Sequence, residues 1–167
     1  MTIHIRPCED RDLAAIMEIY NHAVAHTNAI WNDQLADIDH RRAWWQSRIQ
    51  TGFPVLVATM DDMTIGYASF GPFRPHDGFR SSVEHSIYVS DACRGQGIGG
   101  RLLSALEAEA EAGGFHAMIG GIAHDNAISL ALHAKHGFAE VGRMPEVATK
   151  FGQWQTLVLM QKILGQL

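Results

Sequence analysis

Residues 92–101 read ACRGQGIGGR, and no other stretch constrains this chain as tightly. They follow the alternating run SSVEHSIYVS and precede IGGRLLSALEAEAEA, where Ile98, Leu102, Leu106 and Ala110 step by four along one helical face. A glycine loop between a strand and a helix predicts an α/β layer architecture with an anion site at the junction. The first turn of a helix offers unpaired N–H groups and the positive end of the dipole. Glycines let that backbone approach oxygen atoms with no Cβ in the way.

The letters alone leave the ligand open. Gly95, Gly97 and Gly100 satisfy G-x-G-x-x-G, a dinucleotide fingerprint. That fingerprint should follow the first strand of a β-α-β-α-β half, whereas four strands, a hairpin among them, precede it here. Asp125, near the end of the next strand, is what remains in its favour as a ribose-binding acid. A Walker A loop needs Gly-Lys-Ser/Thr, but Gly100 is followed by Arg101 and Leu102. A kinase loop lies between two strands, and the DGF at 77–79 is not D-F-G.

The remaining elements can be placed by period and punctuation. IHIRP alternates and stops at Pro7, predicting a first strand. Asp10 is placed to cap a helix in which Leu13, Ile16, Met17 and Tyr20 recur at helical spacing, to about residue 26. Asp39 is placed to cap a second helix carrying Trp44, Trp45 and Ile49, closed by Gly52. PVLVATM, the turn DDMT and IGYASFG predict a hairpin, and PFRPHDGFR a loop. Beyond Gly113 and Gly114, AMIGGIAH predicts a strand, NAISLALHAKH a helix ended by Gly137, and FAEVGRM a strand. PEVATKFGQ reads as a loop leading to the final strand WQTLVLMQKIL. The result is a mixed sheet of about seven strands within one domain, residues 1–167.

Composition narrows the function classes. The 167 residues carry a net charge of -5, which argues against a nucleic-acid binder. The two cysteines, Cys8 and Cys93, lack C-x-x-C spacing, so a reducing compartment is expected. The start MTIHIRPCEDRDL has no signal-peptide pattern, and no apolar stretch approaches a membrane span. A cytoplasmic protein with no membrane partner is the expectation. His22 and His26 share a helix face, but Ala23 replaces the glutamate of H-E-x-x-H, so no metal site is expected.

Several separated blocks carry a family resemblance. RGQGIG, with Arg94, Gly97 and Gly99, resembles the R/Q-x-x-G-x-G/A motif of the GNAT N-acetyltransferases. HSIYV precedes it, and N-x-x-S-x-x-L-H-x-x-x-G-F follows it. With IYNHAV, Trp31, GYASFG, VEHSIYV and KFGQW…MQK, the chain is similar to the phosphinothricin and methionine sulfoximine acetyltransferase group. The resemblance implies a GNAT fold: a mixed, mostly antiparallel seven-stranded sheet with helices on both faces. It implies acetyl-CoA as cosubstrate, a small amino-acid-like acceptor and a homodimer.

By that resemblance, Arg94, Gly95, Gln96, Gly97, Ile98, Gly99 and Gly100 hold the CoA pyrophosphate. Main chain at Ile87, Tyr88 and Val89 pairs with the pantetheine as an added strand, between strands that splay. Asn126 bonds the pantetheine arm and Lys135 the CoA phosphates.

The chemistry needs a neutral amine, because an alkylammonium is protonated at neutral pH. Glu84 is placed to take that proton, or else is a strand-edge carboxylate paired with an arginine. His85 faces away from Glu84 in a regular strand; a β-bulge would bring both to the ligand along with Ser86. His133 is either the thiolate's acid or a satisfied core residue, and the Val89 N–H is placed to polarise the thioester. In the 73–80 loop, Arg74, Pro75, His76 and Arg80 are the acceptor-binding candidates, Arg74 and Arg80 by forking onto a carboxylate. Lys150 is a further cation, and Trp31, Trp44, Trp45 and Trp154 divide between core, pocket and dimer surface.

Overall fold

The structure is a computed structural model that describes residues 2–165. The chain runs β1 (Ile3–Pro7), α1 (Leu13–His26), α2 (Ile38–Gln50), β2 (Val55–Met60), β3 (Met63–Pro72) and β4 (Ser82–Val89). It continues with α3 (Ile98–Ala112), β5 (Ala117–Ala123), α4 (Ala127–Lys135), β6 (Ala139–Lys150) and β7 (Gln153–Ile163). The seven strands form one sheet in the order β1-β2-β3-β4-β5-β7-β6. Every neighbouring pair is antiparallel except β4 and β5.

Alternation along the strands sends side chains to two faces, and each face has its own core. On one, α1 and α2 cover Val55, Val57 and Tyr67 with Leu13, Ile16, Tyr20 and Val24. On the other, α3 buries Ile98, Leu102, Leu103 and Leu106 against Leu56, Ala68, Phe70 and Met118. The four-residue step seen in α3 is therefore its core stripe.

Asp12 ties three elements together at the start of α1. It accepts from both Arg6 terminal nitrogens at 2.7 and 2.8 Å, from the Thr64 hydroxyl at 2.6 Å and from the Glu9 N–H at 2.8 Å. A 3₁₀ turn spans Asp10–Asp12, so Asp10 does not cap α1 as the sequence suggests. Asp37, not Asp39, caps α2 by accepting from the His40 N–H at 2.8 Å; Asp39 lies in the first turn.

The segment PEVATKFGQ is a strand rather than a loop. β6 bulges where its register shifts between Met144 and Ala148, with Glu146 at φ 52°, then resumes against Gln153–Gln155. Phe151 and Gly152, at φ 52° and 70°, close it as a two-residue hairpin. Asp61 and Asp62, at φ 50° and 64°, do the same between β2 and β3, as the DDMT turn predicts. No described helix is long and apolar enough to cross a membrane.

Candidate functional site

The parallel seam between β4 and β5 is short. Its register runs from Ser82↔Ala117 to His85↔Gly120 and stops, although β4 continues to Val89 and β5 to Ala123. The strands splay there, as the sequence reading expects. A cleft of about 1560 Å³ opens in the fork, walled by Ser86–Val89, Gly121–Ala123, the 91–100 loop, Asn126, Ser129 and one flank of α1.

Ladder alternation decides which main-chain groups face that fork. The Ser90 N–H bonds the Ile65 carbonyl of β3, so even-numbered residues of β4 turn their N–H and C=O toward β3. Ile87 and Val89 therefore present theirs to the fork. The Tyr88 main chain faces β3 instead, so of the three residues expected to pair with a ligand strand, Tyr88 is not available to do so.

At the mouth of the fork, no N–H group from Gly95 to Gly100 bonds an acceptor among the described residues; the first to do so is Arg101, to Gly97. Gly95 and Gly97 sit at φ 78° and 74°, and Gly97 caps α3 in the left-handed region that disfavours side chains. A row of free donors at a helix N-terminus suits a pyrophosphate. Arg94 reaches Asp91 at 3.0 Å beside it. Asn126 caps α4 through its oxygen, which accepts from the Ser129 N–H at 3.1 Å, and its amide nitrogen is left to donate into the cleft. Gln96 and Lys135 are exposed and do not line the cleft wall.

Glu84 and His85 part company. The β3–β4 register runs unbroken from Gly66↔Val89 to Pro72↔Val83, so no bulge turns both inward. Glu84 shares the α1/α2 face with Ser86. It approaches Gly121 of the cleft wall so closely that a Cβ there would lie 3.3 Å from Oε1. The side chain is exposed at the cleft edge, yet partial desolvation by the surrounding protein raises its pKa above the ordinary carboxylate value, and the Arg74 guanidinium pulls it part of the way back.

His85 lies on the α3/α4 face, buried against His133 with Nε2 to Nε2 at 2.8 Å. The His133 Nδ1–H donates to the Ser129 carbonyl at 2.7 Å, so its Nε2 accepts from the Nε2–H of His85. Burial, then the neighbouring His133, pushes His85 down to about 3; burial also lowers His133, against the pull of the Ser129 carbonyl. Both rings are neutral near pH 7 with their facing nitrogens spent on each other. This geometry turns His85 from the face of Glu84, and its buried ring lines the cleft beside His133.

The acceptor-loop candidates lie open. Arg74, Pro75, His76 and Arg80 are all exposed. Arg74 stacks 4.7 Å over the Phe73 ring, and Arg80 donates to the Asp77 carbonyl at 3.0 Å. Lys150 is not an open cation. It is buried, and its Nζ donates to the Val24 and Asn32 carbonyls, pinning the end of α1. Trp44 packs edge-on to Tyr67, Trp45 is half-buried, Trp31 donates to the Asn28 carbonyl at 3.0 Å, and Trp154 is exposed.

The sequence places α2 and its tryptophans but leaves its arginines, Arg41 and Arg48, without a role. Arg41, Trp44, Trp45 and Arg48 recur at helical spacing on its inward face, which was the available signal. Arg41 is buried with its guanidinium 4.2 Å over Tyr20 and 4.6 Å over Trp44.

A sheet that forks at a parallel seam, with free main-chain donors along one prong and at its mouth, defines an acyl-CoA-binding class of transferase. The model of the acetyltransferase (GNAT) family matches residues 15–138, and the chain belongs to that family. It is 51% identical to the L-methionine sulfoximine/L-methionine sulfone acetyltransferase of Salmonella typhimurium, over 97% of this chain and 95% of that one. The solved structure of yncA from Salmonella typhimurium with its cofactor acetyl-CoA superposes with a TM-score of 0.96 at 49% identity, covering 99% of this chain and 96% of that one. A ribosomal-protein-alanine N-acetyltransferase from Brucella melitensis superposes at 0.95, also 49% identical, covering 96% and 99%.

Proposed function

We propose that this chain transfers the acetyl group of acetyl-CoA to the α-amine of a small amino-acid-like acceptor such as methionine sulfoximine, methionine sulfone or phosphinothricin. The observation that carries the reading is the fork: a free strand edge at Ile87 and Val89, with the donors of residues 95–100 at one end and Glu84 at the other. Acetyl-CoA supplies a thioester already activated for attack. The 95–100 donors hold its pyrophosphate, Ile87, Val89 and Asn126 hold its arm, and the Val89 N–H polarises the carbonyl.

Glu84 takes the ammonium proton, a role typically worth ~10²–10⁴ in rate. A nitrogen–carbon bond forms as the carbon–sulfur bond breaks, and the departing sulfur takes a proton in turn. A thiolate is a weak base, so the proton shed by the amine is sufficient and His133 is not needed as an acid. The neutral His85–His133 pair keeps the fork's vertex packed.

Purified enzyme, acetyl-CoA and methionine sulfoximine should release free thiol, and Glu84→Gln should slow that release by ~10²-fold or more. Thiol release at background with the wild-type chain would overturn the acceptor assignment. The Brucella relative favours a second reading, acetylation of a protein N-terminus. An alanine-starting peptide acetylated faster than any free amino acid selects it.

Acetylating such amines would serve detoxification. The free thiols Cys8 and Cys93 support a cytoplasmic setting. Exposed Met144, Val147, Phe151 and Trp154 on β6 and β7 and their connecting turn supply apolar surface for a homodimer.

A further inference from the structure

Arg48 is a guanidinium without a job in the fold. It lies about two helical turns beyond Arg41 on α2, half-buried, and its side chain donates to no acceptor among the described residues. Other arginines here are spoken for: Arg6 holds Asp12, Arg42 holds Asp10, Arg143 holds Glu140, and Arg41 is sandwiched by aromatic rings. Burial lowers the Arg48 pKa, with no carboxylate to raise it again. A half-buried cation left unpaired is costly, so its place needs a reason.

Gly71 gives it one. A Cβ at that position would overlap the Arg48 Nη1, so β3 leaves a slot for this guanidinium. Gly71 is the cross-strand partner of Glu84, and opposed residues share a face. The guanidinium thus lies over β3 on the α1/α2 face, one strand over from the strand that carries Glu84. The Cα atoms of cross-strand partners are about 5 Å apart, so one amino acid lying across β3 and β4 on this face has its ammonium and carboxylate within reach of the two side chains.

We propose that Arg48 anchors the acceptor's α-carboxylate while Glu84 meets its amine. Together they select an α-amino acid over a simple amine, and Gly71 is the glycine that admits the anchor. This rests on the amino-acid acceptor reading given above. Arg48 is then a specificity determinant contributed by α2, in addition to the 73–80 loop.

The test compares methionine sulfone with 3-(methylsulfonyl)propylamine, the same amine without its carboxylate. Arg48→Gln should raise KM for the sulfone ~10–100-fold and leave kcat/KM for the amine and KM for acetyl-CoA unchanged. Gly71→Ala keeps the charge but displaces it, and should show the same selective loss. Arg48→Lys, which keeps charge without the fork, should recover part of it. Equal losses for both acceptors, or no change for the sulfone, overturn the anchor. A wild-type chain that acetylates the amine as well as the sulfone also overturns it. A wild-type chain that acetylates neither fails earlier, at the acceptor reading itself.

Discussion

Glu84 shows how much a single residue's role depends on its surroundings. Partial desolvation raises its pKa, so it gives up its charge at a higher pH than an ordinary glutamate, while Arg74 restrains the shift. As the proposed base, Glu84 works only when ionised. Activity is therefore present above the raised pKa and lost as pH falls through it. The acid limb of kcat/KM should lie above the free value of about 4.3, and Arg74→Gln should move it further up. A limb at the free value, unmoved by Arg74→Gln, removes Glu84 as the base. The face that Glu84 shares with Ser86 is legible in the sequence because strand alternation fixes it; its reading as the base comes from the family resemblance of VEHSIYV. The His85–His133 pair and the Arg48–Gly71 fit are not legible there. Each depends on residues far apart in the chain meeting across the fold, and no local pattern encodes such a meeting.

At the scale of elements, the sequence reading is strongest where one physical cause dominates. The core stripe of α3 and the strand β1 emerge at their observed bounds, and the glycine loop lies where it was read. Gly97 makes this testable: Ala at φ 74° costs about 1 kcal/mol of strain and tilts the row of N–H donors. Gly97→Ala should raise KM for acetyl-CoA while leaving KM for the acceptor alone, read by steady-state kinetics with each substrate varied in turn. An unchanged acetyl-CoA KM counts against the pyrophosphate assignment. Reading failed where two causes compete. Pro145 and the positive-φ Glu146 look like the start of a loop, yet the ladder with β7 resumes beyond them. The N-terminus of α2 offers two aspartates two residues apart, and only backbone geometry chooses Asp37.

The molecule as a whole is fastened at Asp12, where β1, β3 and the entry to α1 meet on one carboxylate. Burial pushes the Asp12 pKa up, but bonds from Arg6, Thr64 and the Glu9 N–H outweigh it and leave it below the ordinary value. A carboxylate lowered on folding stabilises above its unfolded pKa, and that contribution is lost as pH falls through the folded one. Asp12→Ala should cost about 3 kcal/mol at pH 7 in urea unfolding, with the gap narrowing below about pH 4. A gap that stays constant with pH would show that packing, not charge, is what was removed. The short parallel seam has a consequence of its own. Four paired positions join the half-sheet β1–β4 to the half-sheet β5–β7–β6, so the two meet like the arms of tweezers. The proposed base, the pairing edge and the anion grip all belong to one arm, in one continuous run from residue 84 to residue 100. Their mutual alignment is inherited from a single length of chain, while the opposite jaw is fastened back to the first by Lys150 on the Val24 and Asn32 carbonyls and by Asn28 on Gln155.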